Sequence, residues 1–384
     1  MTNEKITIQG NPQSQHRQRL LDALEHRESD RIPLTLGSPS CSLHRIAQEN
    51  LLQYLNLEQE KSPLITDNIL QIIETDMRLI DLFDIDLLWL LPKEPPVALE
   101  AELQGFTDSF GRKFIAGGGF YNQIGHPLKE HSMEELKTFK FPDLLAYDRF
   151  SYMETQGHDL YENGYALGVD GPWGIYEISS SLVGTEDYLM DLVLRPDYAR
   201  QVAETVLEKH HLPFYENLLS RTAPFIHVVG ISDDLGSQNN LIFSKKVFQE
   251  VFKPLLQELI AHIHRFSDAK VYMHSDGSIY PIIPDLIEIG VDGLNPLQYT
   301  AKDMDLARLK NEFGKDLGFF GGVIENMALS FSSPEQVRQL VRENVSILKE
   351  GGGFIFAPIH NISQEVSPEN ILALYHSGLE FGKF

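Results

Sequence analysis

The chain has 384 residues, 42% hydrophobic and 23% charged, with 55 acidic against 32 basic side chains and a formal net charge of -23. That length suits one large α/β domain or two smaller ones, and the acidic surplus would repel nucleic-acid phosphates and anionic membrane faces. The single cysteine, Cys41, excludes an internal disulfide and a cysteine-rich zinc knuckle, and fits a reducing compartment, the cytosol.

Residues 1–15 are polar, with neither a basic start nor an apolar core, so they read as a loose tail rather than a secretory signal, and residues 16–384 as one domain. No apolar run reaches the length of a membrane span, since even DLFDIDLLWLLP carries three aspartates before Pro92 ends it. Apolar, β-rich segments bounded by turn signals recur about eight times. They are Ile32 to Leu36, Ile85 to Leu90, Tyr165 to Val169, Phe225 to Gly230, Lys270 to His274, Val291 to Asn295, Leu317 to Gly321 and Gly353 to Pro358. The chain between them is helical in pattern, and parallel strands need such crossovers. The expected fold is therefore α/β, a closed (β/α)8 TIM barrel rather than an open doubly wound sheet.

The stretch from Pro95 to Asn163, between the second and third strands, is too long for one crossover. Its glycine-rich piece FTDSFGRKFIAGGGFYN reads as an insertion over the barrel mouth. Later helices carry clear start signals: Ser244 ahead of an apolar stripe that Pro254 kinks or restarts, then Ser333-Pro334-Glu335 and Ser367-Pro368-Glu369. His262 and His264 are expected to be solvated on the outer face of the first of these.

Five segments in a row end in compact polar tags: IHVVGISDDLGSQ, KVYMHSDG, VDGLNPLQ, LGFFGGVIE and GGFIFAPIHN. Polar residues at the exits of parallel strands are the usual place of chemistry in such an array. His274 and Asp276, two apart at a strand exit, share a face toward the mouth, and His360 closes the last strand. Two imidazoles and a carboxylate form a ligand set for zinc, iron or manganese with positions left for substrate. Equally, the three can bond one another or a substrate without metal.

Asp233 and Asp234 are candidates for a general base or for orienting a ligand histidine, and one of them for capping the following helix or turn. Gln238, Asn295, Gln298 and Glu325 end neighbouring segments and are candidates for binding polar groups of a substrate. In VDGPWGIYE, Trp173, Tyr176 and Glu177 offer an aromatic wall beside carboxylates, Asp170 included; the alternative is a turn with Trp173 packed in the core. The glycine runs at Gly117 and Gly351 lack the context of a phosphate-binding loop, and no Gly-x-Ser-x-Gly elbow is present.

These tags resemble the uroporphyrinogen decarboxylase superfamily, which includes the decarboxylase of haem biosynthesis and zinc-dependent methyltransferases that work with corrinoid proteins. The resemblance runs from RLLDALEHRESDRIPL through DLVLRPD, DDLGSQ, HSDGSIYPIIPDLIEIGVDGLNP and GGVIE to APIHN and SPENILALY. It implies one (β/α)8 barrel with its site at the strand C-termini. Where the haem-pathway decarboxylase carries an arginine-rich MRQAGRY segment, this chain reads LGSPSCSLHRIAQ, which removes the anchors for an eight-carboxylate porphyrinogen, although His360 matches a late histidine of that enzyme. The methyltransferases hold zinc through a His-x-Cys pair and a later cysteine; His274, Asp276 and His360 fall at those positions. Replacing thiolates by carboxylate and imidazole makes a bound metal a harder Lewis acid, suited to an oxygen-containing substrate or to water.

The leading expectation is a cytoplasmic enzyme that binds one divalent metal, zinc first and iron or manganese next, and transfers a methyl group to a small polar substrate. In it Asp234, Asp233 and His360 do the proton chemistry, and a corrinoid protein is the implied partner. The rival is a decarboxylase or related lyase in which His360 or Asp234 protonates a carbanion-like intermediate. A third reading is a catalytically idle partner of a corrinoid protein. Nucleic acid and membrane are not expected partners, and a homo-oligomer is left open.

Overall fold

Alternate residues of the parallel strands divide between two apolar clusters, and this division places the functional side chains. The computed structural model describes residues 13–38, 40–57, 63–100 and 104–384. In chain order the strands are β1 (Ile65–Asp67), β2 (Ile72–Ile73), β3 (Leu87–Leu90), β4 (Gly105–Thr107), β5 (Lys113–Gly117), β6 (Phe120–Gly125), β7 (Ala166–Asp170), β8 (Val228–Ser232), β9 (Lys270–His274), β10 (Gly293–Asn295), β11 (Gly318–Phe320) and β12 (Phe354–Ile355).

Seven of these form one sheet in the order β12-β11-β10-β9-β8-β7-β3, with every neighbouring pair parallel. The segment expected as the first strand makes only two parallel bridges, Leu34 to Phe356 and Thr35 to Leu87. Those bridges reach β3 on one edge and the residue just past β12 on the other, so the sheet curls until a single short segment spans its two edges. Helices follow the strands and cover the outside. β4, β5 and β6 form a separate antiparallel sheet that lies in the chain between β3 and β7.

Leu87, Ala166, Val228, Tyr272, Phe320, Ile355 and Ala357 share one buried cluster, with Trp89 packed against it. Their strand neighbours Leu88, Leu167, Val229, Val271, Leu294, Phe319 and Phe356 belong to the larger cluster under the helices. Side chains alternate along a strand, so the first set lines the inside of the curl. Large rings fill that interior because the facing positions are glycines: a Cβ on Gly293 would stand 2.2 Å from the Tyr272 ring, and one on Gly168 2.9 Å from Trp89. Trp89 stacks on Phe320 at 5.8 Å and donates its indole N–H to the Thr35 hydroxyl at 2.8 Å. The interior is therefore a packed plug, and open space is left only toward the strand ends.

The first helix, Gln13–Leu24, packs on β3, β7 and β12 and sends Leu20 into the interior cluster. Residues 13–15, expected as tail, begin this helix; residues 1–12 of that tail lie outside the described residues. Arg19 (3.0 Å) and Arg31 both donate to the fully buried Asp86 carboxylate, which also accepts the Leu34 N–H at 2.8 Å. A buried carboxylate needs such partners, so the RLLDALEHRESDRIPL segment serves the fold.

One further expectation holds and one changes: Ser244 caps its helix and Pro254 marks its restart, whereas His262 is not solvated. The Ser244 helix gives way to a π-helical turn over Phe248–Phe252 and resumes at Lys253 with Pro254 in its first turn. His262 is 9% exposed rather than solvated, because its Nε2 lies 3.1 Å from the Leu212 carbonyl oxygen of the neighbouring helix. Among the described residues no helix is long and apolar enough to cross a membrane.

Candidate metal centre

Tyr272 points into the interior, so His274, two residues on, points the same way at the mouth end of β9. Its parallel register partner is Asn295 on β10, whose Oδ1 lies 2.6 Å from His274 Nδ1. The Asn295 Nδ2 donates to the Phe320 carbonyl at 3.2 Å, which fixes the end of the amide that faces the ring. An amide oxygen only accepts, so His274 carries its proton on Nδ1 and turns Nε2 toward the mouth.

Beyond the strand, two loops are pressed backbone to backbone. A Cβ on Gly236 would stand 2.5 Å from the Asp276 carbonyl oxygen, and Gly277, at φ +83, would bring one within 2.5 Å of the Gly236 carbonyl carbon. Only glycine permits that approach. Asp234 Oδ1 accepts the Asp276 N–H at 2.8 Å and lies 3.7 Å from His274 Nε2. Asn361 Oδ1 accepts the Ser42 N–H at 2.7 Å and so ties the loop carrying His360 to the segment after the first strand.

These contacts bring His274, Asp276 and His360 together, with one ligand atom from each within 4.8 Å of the others. The two imidazole centroids are 5.8 Å apart, edge to face. Burial lowers the His274 pKa, but the Asp234 and Asp276 carboxylates and the Asn295 bond outweigh it and hold the ring above the usual histidine range. Burial, with the His274 charge beside it, pushes His360 down, against the pull of Asp276, and leaves it a neutral base with a lone pair. Among the described residues Asp276 Oδ1 is buried without any hydrogen-bond partner. A divalent cation fits this donor set: it supplies the missing partner of Asp276 and takes the place of the proton that the carboxylates hold on His274.

The sequence matches the uroporphyrinogen decarboxylase (URO-D) family over residues 168–379, more than half of the chain and the part that carries all three of these residues. The chain belongs to that family. No curated protein matches the sequence. Among solved structures, a methyltransferase from Methanosarcina mazei superimposes with a TM-score of 0.67 at 17% identity, covering 95% of this chain and 98% of the other. That likeness concerns the fold. An intracellular xylanase from Thermoanaerobacterium saccharolyticum (TM-score 0.36, 12% identity, 58% and 74% covered) and xylanase B from Clostridium stercorarium F9 (0.32, 10%, 60% and 84%) are similar too loosely to bear on this URO-D chain.

The remaining predicted residues take other places in this URO-D member. Asp233 is fully buried and accepts the Tyr176 and Glu177 N–H groups at 2.9 and 3.1 Å. It thus caps the helix Ile175–Val183 across the mouth rather than the segment that follows it in sequence, and it faces no open space. Asn295 spends its amide on His274 and Phe320 and is only 3% exposed, so it braces the site from below. Glu325 caps the helix Asn326–Phe331 through the Ala328 N–H at 3.3 Å, and Gln298 Oε1 accepts the Gly277 N–H at 2.7 Å. Gln238 donates to the Thr300 carbonyl on the rim. Tyr176 is core, packed on Phe243 and Phe252.

Glu177 stays near the centre. Its Oε2 accepts the Gly174 N–H at 2.9 Å and the Ser232 hydroxyl at 3.0 Å, and burial followed by the Asp234 charge pushes its carboxyl up to about 7. Asp170, at the mouth end of β7, is pushed up by burial to about 6. The sequence put Asp170 at a strand exit but gave no sign that it would be enclosed. Trp173 lies on the wall of a separate hollow, alongside Asp170, Asp67, Glu94, Arg112, Arg149 and His210. Asp67, Glu94 and the last three residues carry no signal in the sequence, because they come from separate segments that share no spacing.

Proposed function

We propose that the protein is a metal-dependent methyltransferase built on a (β/α)8 TIM barrel, holding one divalent cation through His274, Asp276 and His360 and acting on a small polar substrate. The observation that carries this reading is that one ligand atom each of His274, Asp276 and His360 lie within 4.8 Å of one another, while Asp276 Oδ1 is a buried acceptor with no partner among the described residues. Bound there, the cation would act as a Lewis acid that lowers the pKa of a coordinated acceptor group. Asn295 keeps His274 in the tautomer that offers Nε2, and Asp233 anchors the start of the helix that carries Glu177.

Asp234, its side chain 37% exposed at the mouth, is the group placed to take a proton. The acceptor oxygen or nitrogen gives its proton to Asp234, its lone pair takes the methyl group, and the donor keeps the electrons of the broken bond. A methylated corrinoid protein is the donor that the family resemblance supports, and zinc the metal, with iron or manganese next. The plug of Trp89, Tyr272 and Phe320 limits the substrate to the mouth. The reading places the enzyme in the cytoplasm.

One observation favours a second reading. Glu177 is a carboxyl pushed up to about 7 beside the candidate centre, so it can hold a proton near neutral pH and deliver it to a carbanion left by loss of carbon dioxide. Purification without chelator, elemental analysis, and parallel assays for methyl transfer from methylcobalamin and for carbon dioxide release separate the two. The proposal expects one divalent metal per chain, lost in His274→Ala together with methyl transfer. Metal-free protein with full activity overturns it, and carbon dioxide release without a corrinoid installs the second reading.

A further inference from the structure

The hollow beside the centre has the features of a built ligand site. About 150 Å³ is enclosed between the mouth ends of β3 and β7, the β1 hairpin and the β4 to β6 sheet. At about 15 Å³ per water-sized centre this holds a ligand of roughly ten non-hydrogen atoms. Phe106, Phe110, Trp173 and Phe214 set four aromatic side chains on its wall.

His210 is the observation that asks for a ligand. It is 3% exposed, lines the hollow, and its Nδ1 is buried with no hydrogen-bond partner among the described residues. It sits in a π-helical turn, Leu207–His211, an irregularity often found at functional sites. The same turn directs His211 Nε2 to the Trp173 carbonyl oxygen at 3.0 Å, so one local distortion positions both the orphan imidazole and the aromatic wall. Burial, with the neighbouring His211, Arg149 and Arg112, pushes His210 well below the usual histidine range, which leaves it a neutral ring.

The charges around the hollow do not balance. Four carboxylates (Asp67, Glu94, Asp108, Asp170) and two guanidiniums (Arg112, Arg149) line it. Arg112 pairs with Asp108 at 2.7 Å and Arg149 with Glu94 at 3.0 Å. Asp67 takes the Ile69 and Leu70 N–H groups at 2.7 Å each and faces the Trp173 indole N–H, and Asp170 takes the Gly171 N–H at 2.9 Å; among the described residues neither forms an ion pair, with Arg112 the cationic group within electrostatic reach of Asp67 and His274 that of Asp170. Two part-buried carboxylates without an ion-pair partner, set against aromatic faces, are the surroundings in which an organic cation is stabilised both by charge and by the ring faces. Burial pushes Asp67 above the usual carboxylate range, against the pull of its N–H donors and of Arg112.

We propose that this hollow binds a small organic cation: an ammonium group against Asp67, Asp170 and the aromatic rings, with a polar atom on its other end bonded to His210 Nδ1. Asp170 lies at the end of β7, within electrostatic reach of His274, so the hollow adjoins the candidate metal centre. A substrate of the proposed reaction would place such a cation in the hollow and a further oxygen or nitrogen at the metal, and this last step rests on the methyltransferase reading.

The test is direct binding to the whole protein by calorimetry, with choline and its uncharged isostere 3,3-dimethyl-1-butanol as probes. Choline is expected to saturate the protein with a Kd of about 1 mM or tighter, and the isostere to bind at least about tenfold more weakly. Asp67→Asn, which keeps the acceptor for Ile69 and Leu70, is expected to weaken choline about tenfold. Should that variant fail to fold, Asp170→Asn, which keeps the acceptor for the Gly171 N–H, carries the same comparison. Equal binding of the two probes, no saturation by choline, or tighter binding of 3,3-dimethylbutanoate than of choline overturns the proposal. Asp276→Asn is expected to leave choline affinity within about twofold, since the cation meets no metal ligand. A loss of metal in that variant with choline binding intact therefore separates the fate of the hollow from that of the metal reading.

Discussion

Asn295 Oδ1 stands 2.6 Å from His274 Nδ1 across the register pair that joins β9 to β10. A residue at the end of one strand thereby sets the tautomer of a ligand at the end of the next, and the Phe320 carbonyl on the third strand sets the amide in turn. Removing the amide leaves His274 free to rotate and to move its proton. Asn295→Ala is expected to lower metal affinity about 10–100-fold, and Asn295→Asp, which keeps the acceptor, to lower it less. Competition against a chromophoric chelator measures this. Unchanged affinity in Asn295→Ala would mean that His274 does not ligate through Nε2.

Glu325 tests the difference between a structural and a substrate-binding carboxylate. Its side chain accepts the Ala328 N–H at the start of Asn326–Phe331, and the loss of such a cap costs about 1 kcal/mol. Glu325→Ala should therefore lower the urea midpoint modestly and leave KM for any substrate unchanged. A KM raised severalfold at unchanged stability would return Glu325 to the substrate-binding role that the sequence suggests.

The sequence was most informative where one local rule governs a segment. Lys270 to His274 is read residue for residue, because apolar alternation and the polar tag bound it on both sides. Ile32 to Leu36 has the same look, yet only Leu34 and Thr35 bridge, since this segment spans the two edges of the sheet instead of lying within a ladder. Phe225 to Gly230 is read early by a few residues: the strand is Val228–Ser232, and Phe225 is spent on contacts with Tyr161. The two-residue spacing and the strand exits made His274, Asp276 and His360 legible as neighbours. The employment of Asp233, Asn295 and Glu325 was not legible. Capping a distant helix or bracing an imidazole depends on which loops the tertiary fold brings together, and a carboxylate or amide at a strand exit looks the same in either role. The aromatic hollow draws on Asp67, Glu94, Arg112, Arg149 and His210, which no single periodicity connects.

Cys41 takes no part in the proposed chemistry. It is fully buried in the interior cluster, its Sγ 3.0 Å from the Ser38 hydroxyl, and burial pushes the thiol up to about 11. A thiol held protonated and enclosed should resist iodoacetamide in the folded protein and react once urea unfolds it. Cys41→Ser is expected to keep full turnover and to lose about 1–2 kcal/mol of stability, from placing a hydroxyl in an apolar cluster. Rapid alkylation of native protein, or a large loss of turnover in a folded Cys41→Ser, would contradict this.

His211 predicts an acid limb in stability. It is 1% exposed, bonded to the Trp173 carbonyl oxygen, and burial lowers its pKa from 6.5 to about 4. Its folded pKa lies below its unfolded one, so between pH 6.5 and 4 the unfolded chain binds the extra proton. The contribution of the neutral ring is thus complete above pH 6.5 and is lost as pH falls toward 4. At pH 4.5 the loss is about 2.5 kcal/mol, because each pH unit travelled between the two pKa values costs about 1.4 kcal/mol. Enclosed carboxyls with raised pKa, Glu94 and Asp170 at about 7 and 6, act in the opposite sense over the same range, so the wild-type profile alone shows only the sum. His211→Gln cannot titrate and keeps a donor for Trp173. Its stability from urea unfolding should fall less than that of the wild type between pH 7 and pH 4.5, by roughly the same 2.5 kcal/mol, whatever its stability at pH 7. Parallel pH profiles for the two proteins would mean that His211 is already accessible to protons in the native state.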